Sequence, residues 1–284
     1  MRLFSSKKRS VHEGPYPMEL LKRGPMPDLK SIPKMETISF RRPKQPNSIV
    51  NAMCEYQAML DAIRDGFINK ARSEIPNDKI ERSNHFKAFG YFSDAAVVGI
   101  CKLSSNNILD IPIHNPDITP LAEALRTRQT KTLASGIDLI MADLKESMEA
   151  PPTTIKGHTH AIVFLYENPR QIKKSEAGVE WLENALSHRA CLRANETSAV
   201  IANYIRLLGF DAKSHSGAAS DVDLNQLAVS SGLVWVKGNH LVAPYIGANF
   251  GLSAVTCKID LEVDRPLAPV ESQSWFKTKG PRWW

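Results

Sequence analysis

"LAVSSGLVWVKGNHLVAPYIGANFGLSAVTCKIDLEVDRP", Leu227–Pro266, sets a region of glycine turns against a long apolar run. "LVWV" and "HLVAPYIG" read as short strands joined by a turn at Lys237-Gly238-Asn239, and "GLSAVTCKIDLEV" as a longer strand. Gly232, Gly238 and Gly247 stand six and nine residues apart. That is not the G-x-G-x-x-G of a dinucleotide site. Nor is it a phosphate-binding Walker loop, because Lys237 precedes Gly238 instead of following it. The glycines establish only that backbone turns tightly here or comes close to something.

Outward from this stretch the elements alternate irregularly. "DVDLNQLAVSSG" reads as a capped helix ending at Gly232, and "FDAKSH" as a short strand. "EAGVEWLENALSHRA" and "NETSAVIANYIRLLGF" read as two amphipathic helices, the second closed by Gly209. "HAIVFLYE" and "AAVVGICKL" are buried strands, while "DITPLAEALRTR" and "GIDLIMADLKESME" are further helices. A helix capped by Asn47 or Ser48 carries Ile49, Met53, Tyr56, Leu60, Ile63 and Phe67 at three- and four-residue spacing, one apolar stripe. Mixed elements without a βαβ repeat make the class α+β. The organisation expected is a proline-rich basic arm over 1–46, a helical α+β region over 47–150, a core over 151–266 and an aromatic basic tail over 267–284. "EAPPTT" marks the break near 150.

Composition narrows the function classes. The chain has 284 residues, 43% hydrophobic and 23% charged, enough for a sizeable core. No apolar run is long enough for a membrane helix, and "MRLFSSKKRS" has no apolar segment behind its basic residues, so the expected location is cytoplasmic. Residues 1–46 hold eleven Lys/Arg against four Asp/Glu, and seven prolines. They read as an extended segment docked on its own protein, with no motif for nucleic acid. Cys54, Cys101, Cys191 and Cys257 lie too far apart for a local zinc or iron–sulfur motif.

Three clusters carry candidate chemistry. His158 and His160 share a strand face, but no third ligand stands at a usable spacing, so no metal is assigned and the pair reads as a solvent-facing strand end. Ser214, His215, Ser216 and Gly217, with Asp221 downstream, form a small-residue loop better suited to holding a ligand than to nucleophilic catalysis, since no G-x-S-x-G elbow is present. "SWFKTKGPRWW" mixes tryptophans with basic residues and reads as a packing segment against its own protein or a twin subunit.

Taken together, "YIRLLGFDAKSH", "DVDLNQLAVSSGLVWVKGNHLVAPYIG" and the strand ending "DLEVDRP" resemble the cobalamin-binding core of reductive dehalogenases and, more distantly, epoxyqueuosine reductase. "GPYPMELLKRGPMP" (Gly14–Pro27) resembles the N-terminal arm of the non-respiratory members. The resemblance implies a nitroreductase-like α+β core holding cobalamin base-off. Its cofactor contacts would be Ser214, His215, Ser216, Gly217, Asp221, Gly232, Leu233, Gly238, Asn239, Leu241, Pro244 and Gly247.

Departures from the family pattern accompany the match. Cys191 falls at the proton-donor tyrosine's position. Ala254 falls at the supporting lysine's, with Lys258 four residues on. Val234 and Trp235 replace small or acidic residues. No cluster cysteines follow Pro266, so the expectation is a corrinoid protein without its own iron–sulfur clusters. It would take electrons from a separate ferredoxin- or flavodoxin-type donor or partner subunit, in a homo- or hetero-oligomer. The alternatives are a structural or assembly subunit that has lost the cofactor, and a protein holding flavin or haem in the same fold.

Overall fold

The computed structural model describes residues 9–36, 46–127, 154–168, 172–182 and 185–273. The helix read in "GIDLIMADLKESME", the break at 151–153 and the tail from 274 lie outside the described residues.

The centre is an antiparallel four-stranded sheet in the order β1 (Val97–Lys102), β3 (His160–Glu167), β8 (Phe250–Cys257), β4 (Ala212–His215). Val163 lies opposite Gly99 on one side and Ala254 on the other, and His215 opposite Ala254 beyond it. Strand β3 reads as an unbroken apolar run because both faces of the sheet are covered. Ala161, Val163 and Leu165 join one core cluster with Ala254, and Ile162, Phe164 and Tyr166 join the other with Val255.

Helix α1 (Ile49–Ala62), capped by Ser48, and α2 (Lys79–Phe92), capped by Asp78, precede β1. β2 (Ile108–Ile113) pairs with β5 (Ser220–Val222), and α3 covers Ile118–Thr127. A short α4 (Val179–Leu182) leads to α5 (Ala185–Leu207). The latter is one continuous helix where two were expected. It packs on β3, β4 and β8, with Ala194, Ile201 and Ile205 in the second core. The helix α6 (Leu224–Ser230) is capped by the Asp223 carboxylate, which accepts the Asn225 and Gln226 amides. It rests on the first face with Leu227 and Leu233. The hairpin β6 (Trp235–Lys237) and β7 (His240–Val242) follows, turning where expected.

One expectation changes. The α1 stripe is rotated: Val50, Cys54, Gln57, Ala58, Asp61 and Ala62 face inward, while Ile49, Tyr56, Ile63 and Phe67 are exposed. A buried polar cluster around Asp61 sets that face, against the apolar pattern. The N-terminal segment belongs to the first core: Met18, Leu21 and Ile32 are buried there. The Gly24 amide donates to Pro266 O at 2.9 Å and the Ala268 amide to Lys22 O at 2.9 Å.

Candidate functional site

The segment read as a ligand loop is interior. Ser214, His215 and Ser216 end β4 and open a tight turn closed by the Ser216 amide on Ala219 O at 2.9 Å, and all of it is buried. Ser214 N donates to Arg64 O at 2.9 Å. Ser216 Oγ donates to Asp61 Oδ1 at 2.8 Å and accepts the Ala218 and Ala219 amides. Asp61 also accepts from Gln57, from Asn115 Nδ2 at 2.8 Å and from Asn195 Nδ2 at 2.8 Å. Burial pushes the Asp61 carboxyl above its ordinary range, and these donors oppose the push. Asp221 is held by Arg64 Nη2 at 2.8 Å and Lys213 Nζ at 2.9 Å. The side chains expected to greet a cofactor are thus committed to α1 and Arg64 just after it, to β4 and to Thr256 of β8.

The glycine side divides. At Gly232, φ is 69°, and an added Cβ would lie 2.1 Å from Arg23 Nη1 and 2.3 Å from Arg265 O. Arg23 Nη1 donates to Gly232 O at 2.9 Å and Arg265 O at 3.0 Å. Leu233 and Val234 are core, and Trp235 Nε1 donates to Ala268 O at 2.8 Å. Gly238 and Asn239 form the exposed tip of the β6–β7 hairpin. Leu241 is half-buried, and Pro244 and Gly247 are buried in a turn where Ala243 and Gly247 exchange backbone bonds at 2.9 Å. The residues read as one cradle therefore fall in four places: a buried turn, a packed helix end, an exposed hairpin tip and a second turn.

Cys191 is buried on α5, its thiol pushed up to about 11 by burial. Lys258 lies past the end of β8, with Nζ 2.9 Å from Asp211 Oδ2, while Ala254 is sealed between β3 and β4. His158 and His160 are buried, against the solvent-facing expectation, and each Nε2 faces one carboxylate, Asp211 at 3.3 Å and Asp260 at 3.7 Å. Among the described residues no group of three or more His, Cys, Asp or Glu is placed to hold a metal ion. No helix among them is long and apolar enough to cross a membrane.

Open space lies elsewhere. A cavity of about 700 Å³ opens between the N-terminal segment, the end of β3 and the start of α5, walled by Arg9, Tyr16, Tyr91, Tyr166, Arg189 and Arg193. Arg9 is bidentate on Glu19, and Arg193 pairs with Asp94 at 3.2 Å and Glu196 at 2.8 Å. Tyr166 Oη is anchored between Ser93 O and Thr197 Oγ1. A second cavity of about 320 Å³ is lined by Arg23, Lys87, Gly232, Leu233 and Asp264. None of the cavity-wall tyrosines and arginines was expected from the sequence. Arg189 and Arg193, one helical turn apart on either side of Cys191, were the signal available.

The residues read for a corrinoid do not gather around one cavity. Of the residues read for it, only Gly232 and Leu233 line either cavity.

No protein-family model matches the chain, and no curated protein does. Solved structures do. A reductive dehalogenase structure presented as suggesting a mechanism for B12-dependent dehalogenation is 30% identical over 95% of this chain and 32% of its own, with a TM-score of 0.69. The catabolic reductive dehalogenase NpRdhA in complex with 3-bromo-4-hydroxybenzoic acid matches over the same shares at 30% identity and a TM-score of 0.68. Epoxyqueuosine reductase from Bacillus subtilis is 12% identical over 68% of this chain and 49% of its own, with a TM-score of 0.39. The chain is a mixed helix-and-strand protein similar in fold to reductive dehalogenase, and it spans about a third of the length of the dehalogenase structures it matches.

Proposed function

We propose that this chain is a reductive-dehalogenase-like domain that acts as a structural or assembly unit and holds no corrinoid of its own. One observation carries the reading: contacts expected to meet the cofactor at Gly232, Ser216 and Asp221 are taken up by the chain itself. Arg23 fills the space beside Gly232, Asp61 takes the Ser216 hydroxyl, and Arg64 with Lys213 takes Asp221. The outward face of α1, with Ile49 and Tyr56 exposed, together with exposed Ile63 and Phe67 after its end, supports a face for another subunit. Purified protein mixed with cob(II)alamin is expected to leave the absorbance and EPR spectra as those of free cofactor, with nothing co-eluting. A co-eluting base-off corrinoid overturns the reading. Light scattering at micromolar concentration is expected to find an oligomer, and a clean monomer counts against the assembly role.

The second reading, favoured by 30% identity to a dehalogenase described as B12-dependent, is a corrinoid protein with a nitroreductase-like core. It would be fed by a separate ferredoxin- or flavodoxin-type donor. A bound corrinoid in the same experiment would select it.

A further inference from the structure

Thr256 stands on β8, between β3 and β4, and its hydroxyl joins imidazoles from both flanks. His215 Nε2 lies 2.8 Å from Thr256 Oγ1 on one side, and His158 Nδ1 lies 2.8 Å from it on the other. The Asp221 amide reaches His215 Nδ1 at 3.2 Å. An amide can only donate, so His215 Nδ1 carries a lone pair and the ring proton sits on Nε2. That proton goes to Thr256 Oγ1, and the hydroxyl proton is left for His158 Nδ1. His158 therefore carries its own proton on Nε2, which faces Asp211 Oδ1 at a long 3.3 Å. Three backbone and side-chain protons fix two tautomers, and every position from the Asp221 amide to His158 Nδ1 is taken, while buried His158 Nε2 has no hydrogen-bond partner.

One more proton has no place. On His215 Nδ1 it would oppose the Asp221 amide. On His158 Nδ1 it would face a hydroxyl whose own hydrogen then has no acceptor in the row. The surroundings divide in sign. Asp221 Oδ2, 3.7 Å from His215 Nδ1, attracts a proton there, while Arg64 and Lys213, both paired to that carboxylate, repel it. Asp65 sits 3.5 Å from Lys213 Nζ. Around His158, Asp211 attracts, and Lys258 and Lys213 repel. Burial is the largest influence on both rings and holds both below the ordinary histidine range, His215 well below.

His215 also spans the two ends of the buried turn. It precedes Ser216, and its Nδ1 receives the amide of Asp221 on the far side. We infer that His215, Thr256 and His158 form an acid-released latch that holds the 216–221 turn shut against β8 and α1. Above about pH 6.5 both rings are neutral, folded or open, and the latch is intact. As pH falls below that value the open turn takes a proton that the closed one refuses, so opening gains.

The test is hydrogen exchange of the whole chain, corrected for the intrinsic pH dependence. Amide protection over 216–221 is expected to fall about tenfold per pH unit below about 6.5 for one proton taken up, while the Val163–Leu165 amides of β3 stay protected. Thr256→Val, which removes the hydroxyl without changing charge, is expected to lower protection of the turn already at neutral pH. Imidazole nitrogen shifts of the wild-type protein keep the test independent of whether that variant folds, and are expected to place the proton of both rings on Nε2. A pH-independent turn overturns the latch. So does loss of β3 protection in parallel with the turn, or either ring found charged or with its proton on Nδ1 at neutral pH.

Discussion

Gly232 and Gly238 invite direct comparison. Both close an element, both have positive φ, 69° and 57°, and both read in the sequence as places where backbone turns tightly or comes close to something. At Gly232 the partner exists and belongs to the chain: Arg23 Nη1 and Arg265 O occupy the space a side chain would need. At Gly238 nothing lies within 4 Å, and the residue serves only the turn of an exposed hairpin. A glycine reports that a side chain is excluded or a left-handed backbone required. It does not report which, and it says nothing of what fills the room.

The comparison breaks first at Gly232→Ala. The new methyl would meet backbone at Arg265 O as well as a guanidinium, in a conformation that L-residues avoid. Strain and overpacking together predict a loss of about 3–5 kcal/mol, read as a lower urea midpoint. Adding Arg23→Ala removes the flexible obstacle and leaves the carbonyl, so recovery should be partial. A Gly232→Ala variant as stable as wild type would mean that the helix end is not packed by Arg23 and Arg265. The case for a self-filled cradle would go with it.

Asp61→Asn probes the other sealed contact. The carboxylate accepts from Gln57, Asn115, Asn195 and Ser216. A carboxamide keeps one acceptor oxygen and turns two hydrogens toward donors. Buried donors left without partners predict a loss of about 2–4 kcal/mol, again from the urea midpoint, with Asp61→Ala at least as damaging. A neutral effect would show the turn to be held by something other than α1.

What the sequence made legible, and what it did not, divides along the same line. "HAIVFLYE" was readable as a strand because a short run of apolar, largely β-branched and aromatic residues has few other uses. The β6–β7 turn was readable because Lys-Gly-Asn between apolar runs is local chemistry. The α1 face was not. Asp61 turns inward for Asn195, 134 residues beyond it, and Gln57 for Ser216, 159 residues beyond it, and no periodicity within 49–67 can report that. The 213–221 stretch has the composition of a surface turn, and its burial comes from Asp61 and Arg64 on and just after α1. Arg23 reaches Gly232 across 209 residues. β2 went unread because Asp110 and Pro112 break its pattern, and half of it is exposed. Local pattern gave the elements, and long-range polar pairing decided which faces closed.

Gly238→Ala is the smallest expected effect and the sharpest control. The β6–β7 connection is a two-residue turn, with Lys237 opposite His240. Gly238 carries positive φ at its first central position, and Asn239 is not among the positive-φ residues, which is the pattern of a type II′ turn. Alanine there costs the left-handed conformation and nothing else, since no atom lies within 4 Å of the added methyl. The expected loss is about 1–2 kcal/mol, well below that of Gly232→Ala, and Gly238→Asn should recover part of it because asparagine tolerates positive φ better. If the two alanine variants lose the same stability, both glycines act through backbone conformation alone, and Arg23 is a bystander at Gly232. If Gly238→Ala costs as little as expected while Gly232→Ala costs severalfold more, the excess measures the packing of the N-terminal segment against the helix end.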